Sequence, residues 1–130
     1  ATTRNPSPMP RTILIVEDTE AGRDVLEMAL LQLPGIAVRS VATAEEALAC
    51  LASNEISALV TDLNLPRMDG FQLIAAVRAH GSGMPIMVIS GDSDPRTLER
   101  VVNLGASAYF PKPYSPSQVR QRLEELINVP

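Results

Sequence analysis

The sequence predicts one α/β domain built from five strand–helix units, and three observations predict it. Short aliphatic, β-branched runs recur five times, at Ile13–Val16, Ile36–Val41, Ala58–Thr61, Ile86–Ile89 and Ala108–Phe110. Several of them are apolar at consecutive positions, the pattern of strands covered on both faces. Segments with helical spacing lie between the runs, and each interval is long enough for a crossover helix. A length of 130 residues fits one domain. Hydrophobic residues make up 45% and aromatics only 3%, with no Trp, so the predicted core is aliphatic.

Residues 1–11 hold Pro6, Pro8 and Pro10 among polar residues and read as a flexible Pro-rich tail or linker. The domain is expected over 12–130. The first helix is expected over 20–33, with Ala21, Val25, Met28, Ala29 and Leu33 on its buried stripe and Pro34-Gly35 as its stop. A second is expected over 44–53, with Ala44, Leu48 and Leu51 inward and a Thr43/Glu46 capping box. Asp94-Pro95 opens a fourth helix, and Gly105 follows its end. Ser115-Pro116 opens the last one, with Gln118 completing another box. Parallel strands with right-handed crossovers then assemble as a (βα)5 doubly wound, five-stranded, three-layer sheet in the flavodoxin-like order 2-1-3-4-5. In such sheets ligands bind at the carboxyl ends of the strands, near the switch in strand order.

Composition narrows the function classes. Net charge is −4, and two of the basic groups, Arg4 and Arg11, precede the domain, which argues against nucleic acid held by the domain's own basic surface. A single cysteine, Cys50, excludes an internal disulfide framework. No apolar run reaches the ~20 residues of a membrane span. No secretory leader pattern is visible, so no membrane association and a cytoplasmic location are expected. The first residue is Ala, which fits a processed chain or a piece of a longer one.

The residues just past each strand carry the chemistry. Glu17 and Asp18 follow the first strand, and Asp62 ends the third. These strands are neighbours in the predicted order, so three carboxylates converge. Clustered carboxylates repel unless a cation joins them, and a hard divalent ion with oxygen ligands is the simple remedy. Taken singly, each acid also reads as a helix cap or a solvated group. Lys112, the only lysine beside ten arginines, follows the last strand between Pro111 and Pro113. It suits a phosphoryl oxygen as a compact point charge, or is an ordinary surface lysine. The Lys112-Pro113 bond is a candidate for the cis form. Ser90 ends the fourth strand beside Gly91, where its hydroxyl either donates to an anion at Asp62 or caps a turn.

Four segments resemble the receiver domain of two-component response regulators: Ile13-Leu-Ile-Val-Glu-Asp18, Val60-Thr-Asp-Leu-Asn-Leu-Pro-Arg-Met-Asp-Gly70, Ile86-Met-Val-Ile-Ser90 and Gly105-Ala-Ser-Ala-Tyr-Phe-Pro-Lys-Pro113. The second and fourth are the specific ones. The likeness runs from Ile13 to about Val129. It implies that Asp62 is the phosphoacceptor and that Asp18 ligates Mg²⁺ directly, with Glu17 acting partly through water; Mn²⁺ is an expected substitute. Asn64 would add its backbone carbonyl, and Lys112 would bind the phosphoryl group. Ser90 and Tyr109 match the switch pair. The Met68-Asp69-Gly70 turn would shape the loop before the third helix, with Gly70 in a backbone conformation costly for other residues. Side chains of Asn64 and Asp92 would tune hydrolysis of the acyl phosphate. The expected readout is the surface of the fourth helix, last strand and last helix, bearing Arg96, Glu99, Arg100, Arg120 and Gln121.

The departures are Glu-Asp for the commoner Asp-Asp, Ser for Thr, and Tyr114 for Phe; none removes a required group. The implied partners are a histidine kinase or histidine phosphotransfer protein and an unspecified output partner or fused domain, with a homodimer as a further option. The chain is not expected to be a turnover enzyme on an external substrate, although it promotes its own phosphorylation and dephosphorylation. A phosphorylation-independent scaffold would lose the acids or Lys112. A haloacid-dehalogenase-like phosphatase would carry Asp-x-Asp after the first strand, where Glu17-Asp18-Thr19 stands. A flavin binder would need a Ser/Thr/Gly-rich phosphate loop there.

Overall fold

The computed structural model describes residues 11–128. Residues 1–10 of the predicted tail and the last two residues lie outside them; Arg11, expected in that tail, instead opens the first strand and pairs with Ile36. Five strands and five helices alternate: β1 Arg11–Val16, α1 Glu20–Leu30, β2 Ile36–Val41, α2 Ala44–Ser53, β3 Ala58–Asp62, α3 Gly70–Ala79, β4 Ile86–Ser90, α4 Pro95–Asn103, β5 Ala108–Pro111 and α5 Pro116–Asn128. The sheet is parallel, in the order β2-β1-β3-β4-β5. No described helix is long and apolar enough to cross a membrane.

The strands sort their side chains by parity. Ile13 and Ile15 of β1 join Leu26 and Leu30 of α1 and Val119 and Leu123 of α5. Leu14 and Val16 face the other way, onto Ala44 and Ala47 of α2, Leu73, Ile74 and Val77 of α3, and Val101 of α4. Two helices therefore cover one face and three the other, giving three layers. Every residue of the central strands β3 and β4 is buried, whereas the edge strands β2 and β5 are mostly half-buried. Each fully buried Leu or Ile contributes about 1.5–3 kcal/mol against exposure.

The helix ends mostly follow their capping residues. Thr19 accepts from Gly22 N, Thr43 from Glu46 N, and Asp94 from Arg96 N. At α2 the box is only half made, because Glu46 accepts the Thr43 hydroxyl. The reciprocal box lies at α3, between Asp69 and Gln72. Ser115 Oγ accepts from Gln118 N, half of the expected box.

The first helix differs from its expected form. It ends at Leu30, and Leu33 closes the following turn through its N–H to the Leu30 carbonyl. Its inward residues are Leu26, Ala29 and Leu30, with Leu33 buried after them. Ala21, Val25 and Met28, expected inside, are exposed. Apolar residues cover more than one face of this helix, so periodicity did not choose the buried one; contact with the sheet and α5 did.

Candidate functional site

The register sets a row of functional groups along the carboxyl rim of the sheet. Val16 pairs with Thr61 and Asp62 with Ile89, so Glu17, Asp62 and Ser90 lie at adjacent strand ends. Lys112 joins them by donating its backbone N–H to the Ser90 carbonyl at 2.8 Å. The Lys112–Pro113 peptide bond is cis.

Glu17 and Asp62 are 4% and 6% exposed. Carboxylates this deep need compensation. Lys112 supplies it, with Nζ 2.6 Å from Asp62 Oδ2 and 3.4 Å from Glu17 Oε1. Burial works against the Lys112 ammonium, but the two carboxylates outweigh it and hold its pKa above the ordinary lysine value. The other Asp62 oxygen, Oδ1, accepts the Asn64 N–H at 3.0 Å. Glu17 Oε2 accepts the Thr19 N–H at 3.2 Å, at the N-terminus of α1.

Asp18 is exposed and completes the acidic group. One oxygen from each of Glu17, Asp18 and Asp62 lies within 4.8 Å of the others. Three hard oxygen donors that close, two of them nearly buried, fit a divalent cation of the Mg²⁺ type.

Ser90 is fully buried. Its Oγ accepts the Asp92 N–H at 3.0 Å. The Tyr109 hydroxyl, from β5, donates to the Asp92 carbonyl. The two expected switch residues are thus joined through one backbone unit. The Asp92 carboxylate is tied to the start of α4: Oδ1 accepts the Asp94 N–H at 2.9 Å and Oδ2 the Thr97 hydroxyl at 2.7 Å. Those two bonds, the backbone one first, hold the Asp92 carboxyl below the ordinary aspartate value. These bonds make Asp92 a cap of the loop before α4.

One glycine expectation is corrected. Gly70 has no positive φ; it is required because a Cβ would stand 2.4 Å from the Asp62 carbonyl oxygen and 2.6 Å from Leu63 Cα. Arg67 holds the left-handed conformation in that loop, at φ 63°. A Cβ at Gly91 would meet nothing within 4 Å. Arg100 and Arg120 also differ from free surface groups. The Arg100 guanidinium sits 3.8 Å from the Phe71 ring centroid, and Arg120 donates to Gln32 at 3.0 Å, on the α1 side.

The family model described as response regulator receiver domain matches residues 13–124. The chain is a response regulator receiver domain. The receiver is 34% identical over 119 residues to the transcriptional regulatory protein GltR of Pseudomonas aeruginosa, an alignment covering 90% of this chain and 49% of that one. It spans about half the length of the curated relatives it matches. Among solved structures, a putative response regulator from Chloroflexus aurantiacus superposes with a TM-score of 0.85 at 32% identity, covering 92% of this chain and 99% of that one. The chemotaxis response regulator CheY4 of Vibrio cholerae gives 0.80 at 26% identity, covering 89% and 98%. The receiver's strand order is the flavodoxin-like one of that relative.

Proposed function

We propose that the receiver takes a phosphoryl group onto Asp62 from a phosphohistidine of a histidine kinase or histidine phosphotransfer protein. The observation that carries this reading is the Lys112–Asp62 contact of 2.6 Å, set beside the acidic group of Glu17, Asp18 and Asp62. A bound Mg²⁺, or Mn²⁺ in its place, would supply charge neutralisation at the phosphoryl oxygens, held by Asp18, Asp62 and the Asn64 carbonyl with Glu17 alongside.

The chain's own residues do the rest. An Asp62 oxygen attacks phosphorus in line. Lys112 gives up Asp62 and pairs with a phosphoryl oxygen, so its charge stays matched. The Ser90 hydroxyl, which accepts from Asp92 N, keeps its proton free to donate to the new anion. The phosphoryl group adds about −1.5 to −2 of charge. Movement of Ser90 toward it pulls on Asp92 and, through the Asp92 carbonyl, on Tyr109. The linkage carries the change to α4, β5 and α5, where Leu98 and Val102 are exposed and suit an output partner, a fused domain or a second copy. The donor approaches over α1, where Met28 and the C-cap Leu31 are exposed. On this reading the receiver works in the cytoplasm as a signalling phosphoprotein and turns over no external substrate.

The test is intact mass after incubation with Mg²⁺ and acetyl phosphate. One added phosphoryl group is expected, abolished by EDTA and by Asp62→Asn. Absence of both the adduct and a stable beryllofluoride complex would overturn the reading and favour a phosphorylation-independent scaffold.

A further inference from the structure

A cavity of about 360 Å³ opens between the C-terminal ends of α2 and α3, at the far end of the sheet from Asp62. Small-molecule sites commonly occupy ~300–1,000 Å³. Leu48 and Leu51 of α2, Val77 of α3, Ile56 before β3 and Met84 before β4 give it apolar walls. Its polar lining is Asn54, His80 and Ser82, with no acid, lysine or arginine among the lining residues.

The polar groups have defined roles. Asn54 caps α2 and donates its Nδ2 to the Cys50 carbonyl at 3.0 Å, which leaves Oδ1 as an acceptor. His80 caps α3, and its Nδ1 lies 2.8 Å from the Ala76 carbonyl. A carbonyl only accepts, so Nδ1 carries the hydrogen and Nε2 of the neutral ring is an acceptor. Neither Oδ1 nor Nε2 makes another hydrogen bond among the described residues. Ser82 Oγ accepts the Met84 N–H at 3.3 Å and keeps its own proton to donate. The loop wall is held before any ligand arrives, because Arg78 donates to the Ser82 and Met84 carbonyls at 2.9 and 2.8 Å.

We infer that this cavity binds a small neutral phenol. The ring matches the aliphatic walls and the Met84 thioether. The hydroxyl donates to His80 Nε2 and accepts from Ser82 Oγ, so one group serves both kinds of partner, with Asn54 Oδ1 as a second acceptor. A carboxylate or an ammonium would lose its water and meet no opposite charge in the lining. The site is separate from the acidic rim. β3 starts at Ala58, next to the cavity wall, and ends at Asp62, and no lining residue takes part in the phosphoryl transfer.

The probes are 4-ethylphenol and 4-ethylanisole, which has the same ring but no hydroxyl donor. Protein labelled with methyl-¹³C methionine is titrated with each and followed by NMR. The Met84 methyl signal is expected to move saturably with 4-ethylphenol. Met28, 71% exposed on α1, and Met87, buried on the other face of the sheet, are expected to stay in place. 4-Ethylanisole is expected to bind about tenfold more weakly. His80→Phe changes an exposed position and keeps a ring, and it should narrow that ratio to less than about threefold. A Met84 signal that does not saturate, or that moves no more than Met28, would overturn the site. An ether that binds the wild type as tightly as the phenol, or a ratio unchanged in His80→Phe, would overturn the ligand class.

Discussion

Lys112 Nζ lies 2.6 Å from Asp62 Oδ2 and 3.4 Å from Glu17 Oε1, so one ammonium balances two nearly buried carboxylates. Lys112→Met leaves both without a cation. A loss of about 1–3 kcal/mol is expected in urea unfolding with EDTA present. Added Mg²⁺ should recover part of it. Equal stability of variant and wild type in EDTA would show that the contact does not hold the site. The pH dependence has a fixed sign. The Lys112 pKa is raised on folding, so its contribution is fully present below the ordinary value of 10.5 and fades as pH rises through the higher folded value.

Gly70→Ala forces a methyl group into backbone. The Asp62 carbonyl oxygen and Leu63 Cα stand too close, and neither is the end of a flexible side chain. A cost of about 1–3 kcal/mol follows. The displaced strand end should also slow acetyl phosphate labelling of Asp62. A variant with wild-type midpoint and labelling rate would contradict the contact.

At Arg67 the strain is conformational. Left-handed backbone costs an L residue roughly 1–2 kcal/mol, and glycine escapes most of that cost. The exposed Arg67–Glu45 pair, at 3.4 Å, returns little. Arg67→Gly should therefore gain up to about 1 kcal/mol, and Arg67→Ile should lose a similar amount. Chemical denaturation of the two variants gives the comparison; equal midpoints would argue against the strain.

Arg78 is a staple between loops. Its guanidinium donates to the carbonyls of Ser82, Met84 and Gly105 at 2.7–3.2 Å. Burial lowers its pKa, and carbonyls are the partners it has. Arg78→Met frees three carbonyls, and a loss of about 2–3 kcal/mol is expected. Arg78→Lys should recover less than half, because one ammonium lacks the fork that spans the three acceptors. Full rescue by lysine would refute the staple.

The Asp92 carboxyl is depressed by its bonds from Asp94 N and Thr97 Oγ1. A depressed carboxyl stabilises above its ordinary value, here 3.8, and that stabilisation is lost as pH falls through the folded value. Thr97→Val should move the Asp92 titration, followed by carboxyl ¹³C NMR, toward 3.8. An unmoved titration would mean that Thr97 does not hold the loop.

Much of the scaffold was legible because parallel strands covered on both faces must read as unbroken aliphatic runs. The rim residues were legible for a related reason. Sheet order alone brings Glu17 and Asp62 to adjacent strand ends. What escaped depends on contacts between helices or within loops. The buried face of α1 was misassigned, since Val25, Leu26, Met28, Ala29, Leu30 and Leu31 leave no clear stripe. The steric need at Gly70 comes from the approach of Asp62, which spacing does not encode. Arg100 on Phe71 and Arg120 on Gln32 pair residues far apart in the chain. Asp69-x-x-Gln72, by contrast, carries a capping signal of the same form as Thr43-x-x-Glu46.

Lys112 is the only lysine in the sequence, and its side chain is 38% exposed. An amine-selective acylating reagent therefore finds a single lysine, and it is the one at the acidic site. Whatever occupies that site shields or withdraws the amine. The extent of acylation at Lys112, read on one peptide by mass spectrometry, becomes a footprint of occupancy. It needs no engineered label and works in a mixture.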